Sequence, residues 1–181
     1  MSTPPSESKG ADGTSPRRHP LGVAAAISAL AFAVVLAVSA YFDRSIRWLH
    51  AFEAIPYIAA AALCWRLSKH GFALGIAAGG LWFSMGAFRT GFVRNGLEQL
   101  NHWIHSGLLE RPDQLIALPA AASTLALALF SAAAYIRLTR KRWSDLGVLA
   151  LYVFLVVTFF MAIFAVFAPR YLRVFGIHVG S

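Results

Sequence analysis

Cysteine is nearly absent from this chain, and charge is scarce. One cysteine, Cys64, stands among 181 residues, which excludes an internal disulfide framework and a zinc site built on cysteines. Charged residues make up 13% of the chain, against about 25% in soluble domains. Acidic residues are fewest, 8 Asp and Glu against 16 Lys and Arg. No GxSxG, HExxH, Walker loop or GxGxxG occurs, so the common hydrolase, metalloprotease, nucleotide and dinucleotide signatures are missing. The net charge of +8 suggests nucleic acid at first sight. The cations, however, fall between apolar runs and build no basic reading face, so they orient a membrane protein instead of gripping phosphates.

What the chain has in abundance is apolar surface. Hydrophobic residues reach 58% and mean hydropathy is +0.62, too apolar for disorder or for a soluble domain. The expected fold is an all-α integral membrane bundle of about five transmembrane helices plus one amphipathic interfacial helix.

Residues 1–20 are rich in Ser, Pro, Gly and charge and read as a disordered cytoplasmic tail. The bundle then occupies 21–168. The first span, 21–42, carries no charge and at about 1.5 Å per residue is long enough for a hydrocarbon core of about 30 Å. A cleaved signal peptide is the minority reading, because this run exceeds the usual 7–15-residue apolar region. The second span, 46–67, contains His50, Glu53 and Pro56 and is the weakest of the five. The third is 71–88, and the short link Ser68-Lys69-His70 makes the second and third an antiparallel hairpin. Residues 92–109 repeat Val93, Leu97, Leu100, Ile104 and Leu108 at helical spacing with charge elsewhere, which predicts a helix lying at the interface. The fourth and fifth spans are 115–136 and 146–168, followed by a tail over 169–181.

Lys and Arg in the connections set the orientation. Lys9, Arg17, Arg18, Arg66, Lys69, Arg137, Arg140, Lys141 and Arg142 share one side. Arg44, Arg47, Arg89, Arg94, Arg111, Arg170 and Arg173 share the other. The dense cluster from Arg137 to Arg142 resists translocation. The N-terminus is therefore expected in the cytoplasm of a bacterial inner membrane and the C-terminal tail outside.

Helices in lipid associate through close contact. Gly71, Gly75 and Gly79 recur every fourth residue, with Gly80 and Ser84 on the next row, so the third span is expected to pack by this flat face. Ala25, Ala29, Ala33 and Ala37 repeat the idea in the first. The fifth span is bulky, with Phe154, Phe159, Phe160, Phe164 and Phe167, and is expected at the periphery. Cys64 and Met85 read as packing residues.

Glu53 is an acid inside an apolar run, where a charge costs about 2.5–3.5 kcal/mol on insertion scales. It should face the interior. His50, three residues before it, shares its face, and Arg89 or Arg94 are candidate ion-pair partners. With Glu98, His102 and His105 these residues form an external-side set whose imidazoles and carboxylates suit a transition metal. The string Arg47-Trp48-Leu49-His50 resembles the Arg-aromatic-x-His pattern of di-haem and b-type membrane cytochromes, which implies His50 as an axial ligand of haem b. Those families place a partner histidine in another span, and no other span here contains one.

The sequence thus reads first as a small polytopic inner-membrane protein, a non-catalytic subunit or accessory factor without a cofactor. It would contact the bilayer and a protein partner or a second copy of itself, and not nucleic acid. A metal- or haem-binding redox protein and a small oligomeric transporter are the competing readings.

Overall fold

The structure is a computed structural model and describes residues 19–109, 111–139 and 143–169. Every regular element among them is helical. The order is α1 (Pro20–Phe42), a 3₁₀ turn (Arg44–Ile46), α2 (Arg47–Trp65), α3 (Lys69–Ser84) running on through a π turn (Met85–Arg89), α4 (Phe92–Ser106), the short α5 (Pro112–Leu115), α6 (Ala117–Leu138) and α7 (Trp143–Phe167).

Local chemistry sets these boundaries. His19 caps α1, its Nδ1 accepting from the Leu21 N–H at 3.3 Å, and Pro20 follows at the start of the helix, where a missing N–H does no harm. The Asp43 carboxylate accepts from the Ser45 N–H at 2.9 Å and from its hydroxyl at 2.6 Å. Asp43 is therefore the cap between α1 and α2. Ser68 caps α3. Gly91 and Gly107 bracket α4 with φ of 65° and 70°, a region glycine enters without steric cost. Residues 112–115 form their own short helix before α6.

Four helical stretches are long and apolar enough to cross a membrane: Pro20–Phe42, Lys69–Arg89, Pro112–Leu138 and Trp143–Phe167. α2 is not among them by composition. Its 19 residues nonetheless extend about 28 Å, and it lies antiparallel along α1 in register. A Cβ on Gly22, near the start of α1, would meet Leu67 and Cys64 beyond and at the end of α2. Phe32 packs on Tyr57 with ring centroids 4.4 Å apart. Near the far end Ser39 meets His50. Residues in the pairs Gly22–Leu67, Phe32–Tyr57 and Ser39–His50 stand equally far in sequence from the link, as a regular antiparallel hairpin demands.

α3 is central and packs against α2, α6, α7 and the edge of α1. Gly71, Gly75 and Gly79 are all buried. A Cβ on Gly71 would stand 2.5 Å from the Leu63 backbone, one on Gly75 2.3 Å from Ser131 Oγ, and one on Gly79 2.7 Å from the Thr124 carbonyl oxygen. The stripe thus serves two neighbours, α2 at one end and α6 along the rest. Gly80 departs from the expectation, because a Cβ there meets nothing within 4 Å, and Ser84 is exposed. One row of small residues suffices where two backbones touch along one line, and the next row turns away from it.

The placement of α7 also differs. Phe154 and Phe167 are exposed as expected, but Val156, Phe160, Ile163 and Phe164 are buried. One edge of the helix fills the space beside α3 and α2, since bulky rings are needed where the neighbouring surface is made of small residues. Residues 1–18 and 170–181, and with them nearly all of the two tails proposed from sequence, lie outside the described residues.

Candidate functional site

Glu53 is 4% exposed. The face of α2 that carries it also buries Leu49, Pro56, Tyr57, Ala60, Ala61 and Cys64, so helical periodicity alone turns the carboxylate inward. A carboxylate taken out of water needs a partner. His50, one turn earlier, supplies it, with Nδ1 2.6 Å from Glu53 Oε2. The other ring nitrogen, Nε2, lies 3.1 Å from Ser39 Oγ on α1. Ser39 and His50 are half-buried, so the chain Ser39–His50–Glu53 runs from the rim of the bundle into it. One turn deeper, Tyr57 donates its hydroxyl to the Ala78 carbonyl at 3.1 Å, tying α2 to α3.

The expected arginine partners do not reach Glu53. Arg89 is exposed, and Arg94 pairs with Glu98 at 3.5 Å on the surface of α4. Arg89 closes the π turn that continues α3, and Gly91, with φ of 65°, redirects the chain before Arg94. Glu98, His102 and His105 all lie on the exposed surface of α4. His105 Nδ1 is bonded to the Asn101 carbonyl at 2.8 Å, and the Ser106 hydroxyl donates to the carbonyl of His102 at 2.8 Å.

Among the described residues no group of three or more His, Cys, Asp and Glu side chains stands close enough to hold a metal ion. His50 has both ring nitrogens engaged, so the residues present do not fit a haem ligated by His50 without breaking one of those bonds. Of the five residues singled out for a metal or cofactor, the structure joins His50 and Glu53 to each other and leaves Glu98, His102 and His105 on a separate helix.

Three buried or half-buried polar residues escape a reading of the sequence by runs. Ser39 lies in an uncharged stretch and becomes visible only when the α1–α2 hairpin is folded about its link. Asp145 is buried at the opposite end of the bundle, where Lys69 Nζ lies 3.0 Å from its Oδ1 and the Tyr135 hydroxyl donates to its carbonyl. Its signal is an acid beside an apolar run, two residues after the start of α7. Gln99 is a third: buried on α4, its Nε2 has no hydrogen-bond partner.

The chain matches no protein-family model, no curated protein and no solved structure. The functional reading therefore rests on geometry.

Proposed function

We propose that this chain is a small polytopic inner-membrane protein with five crossing helices, α1, α2, α3, α6 and α7, that works as a subunit or accessory factor of a membrane complex. The observation that carries the reading is the seam along α3. A path for a solute along the glycine face would need space beside Gly71, Gly75 and Gly79, and each of those positions is filled by α2 or α6 to within 2.7 Å of an added Cβ. A seam so closed favours a solid scaffold over a small transporter. The metal- or haem-binding reading has less support, because its residues are split between α2 and α4.

α2 crosses in this proposal because it lies in register with α1 and between other crossing helices. Its lower apolarity comes from His50 and Glu53, which face inward and not lipid. α4 lies at the interface. It buries only Gly96 and Gln99, whereas Leu97, Trp103 and Ile104 stay exposed, as suits a helix resting among headgroups and acyl chains.

Five crossings put the two termini on opposite sides. Reporter fusions at Lys141 should read cytoplasmic and fusions after Ser181 external, and a cytoplasmic C-terminus would mean that α2 does not cross. For the functional assignment, the tagged chain should be extracted from its native membrane in mild detergent and sized by native electrophoresis. A complex of defined mass with partner chains in fixed stoichiometry is the expected result. A chain that migrates alone, or with a Soret band or one metal per chain, would overturn the assignment.

A further inference from the structure

We infer that Ser39 is an activated nucleophile, with His50 as its general base and Glu53 as the group that orients the base, and that the site accepts an acyl group from a carboxylic ester or thioester carrying a hydrocarbon chain. This goes beyond the reading as a subunit or accessory factor and does not depend on it.

The inference rests on connectivity. A serine nucleophile needs a base within hydrogen-bond reach, and the base needs a third group that fixes its tautomer. Here Oγ of Ser39 is 3.1 Å from Nε2 of His50, and Nδ1 of the same ring is 2.6 Å from Oε2 of Glu53. When Glu53 is a carboxylate it can only accept, so Nδ1 carries the proton. A neutral His50 then presents a lone pair at Nε2, and the hydrogen bond to Ser39 must be donated by the serine. With that tautomer, every proton is where attack by Oγ requires it.

Burying Glu53 demands a partner, but it does not demand that the partner's second nitrogen meet a hydroxyl on another helix. The lack of GxSxG is no obstacle, since such sets are recognised by geometry and not by sequence position.

The surroundings select the substrate. Ser39 lies in the last turn of α1, half-buried and open at the rim. Tyr41, Phe42, Trp48 and Phe52, on the adjoining turns of α1 and α2, are exposed and offer apolar surface to an acyl chain. Arg44 and Arg47, on the link and the first turn of α2, are the nearest cations in sequence to a developing oxyanion or a polar headgroup.

In the step, Oγ bonds to the acyl carbon as its proton passes to Nε2. The bond from that carbon to the leaving oxygen or sulfur breaks, and Nε2 returns the proton to the leaving group. Water or an alcohol then takes the acyl group by the reverse sequence.

The test uses the full-length protein in detergent and an alkyl fluorophosphonate, with adducts mapped by mass spectrometry. Exposed Ser84 on α3 is the internal control. We expect one adduct, on Ser39, and a rate lowered about 100-fold or more by His50→Gln, the scale of general-base assistance. Glu53→Gln should lower it as well.

If the folded protein forms no adduct on Ser39, labels Ser84 as fast, or labels Ser39 undiminished in a folded His50→Gln variant, the inference is wrong. Should that variant fail to fold, the comparison of Ser39 with Ser84 in the unaltered protein still decides. Long-chain p-nitrophenyl esters should release p-nitrophenolate faster than the acetate, and equal rates would overturn the substrate class.

Discussion

Gly79→Ala and Gly71→Ala should each destabilise the bundle by about 1–3 kcal/mol or more, the usual scale of overpacking, while Gly80→Ala, next in sequence to the first, should leave it unchanged or strengthen it. A Cβ on Gly79 would lie 2.7 Å from the Thr124 carbonyl oxygen and 3.1 Å from the Ala128 nitrogen, and one on Gly71 2.5–2.6 Å from atoms of Leu63 and Cys64. These are mostly backbone atoms. They cannot rotate aside, so two helices must separate, and membrane helices held by contact lose most when the contact opens. At Gly80 the added methyl meets nothing within 4 Å, and replacing glycine in a helix by alanine contributes about 0.5–1 kcal/mol. Gly75→Ala falls between the two, because its nearest obstacle is the hydroxyl of a side chain, Ser131. Phe159→Leu, on the half-buried flank of α7, should cost less than Gly71→Ala or Gly79→Ala. Thermal unfolding in detergent, followed by circular dichroism, measures all five. A Gly79→Ala protein as stable as Gly80→Ala would mean that α3 and α6 do not touch where the structure joins them.

The difference between Gly79 and Gly80 shows what periodicity can and cannot convey. Spacing by four puts Gly71, Gly75 and Gly79 on one line and Gly80 and Ser84 on the next, but it does not say which line meets a neighbour. That depends on how α3 is rotated against α2 and α6, a property of the assembled bundle. The same limit explains Phe160. A run of phenylalanines in an apolar helix has no preferred face in its own sequence, and burial of Phe160 and Phe164 beside exposed Phe154 follows from where α3 lies.

Helix positions were legible because length and apolarity are local. The inward turn of Glu53 was legible because exposing a carboxylate to lipid is costly whatever the neighbours. Its partner on the same helix, His50, needed only the three-residue spacing. Ser39 needed the hairpin. Arg94 failed as a partner because Gly91 turns the chain out of the α3 stretch before it, and Arg89, at the end of the π turn, is left exposed; no apolar pattern announces either.

His50→Leu should cost about 3–5 kcal/mol, the scale of leaving a buried charge without its partner, and the double change His50→Leu with Glu53→Met should recover most of the loss. Taken alone, His50→Leu leaves the Glu53 carboxylate, 4% exposed, without the partner 2.6 Å away. The carboxylate must then take up a proton or draw water into the hairpin, and either opens the contact between α1 and α2. Ser39 suffers less, because a serine hydroxyl in a helix can turn to a carbonyl one turn back. Removing both members leaves no charge to solvate, and apolar side chains of similar volume fill the space. Glu53→Gln should lie between these extremes, since its amide oxygen can still accept from Nδ1. The readout is a double-mutant cycle on unfolding in detergent. Strong coupling between the two positions is the expected result. Additive losses would show that His50 and Glu53 act separately and that the 2.6 Å contact does not hold the hairpin. A His50→Leu protein with full stability would show that Glu53 is solvated by some other route, and the hydrogen-bonded chain from Ser39 would then have no base to connect it.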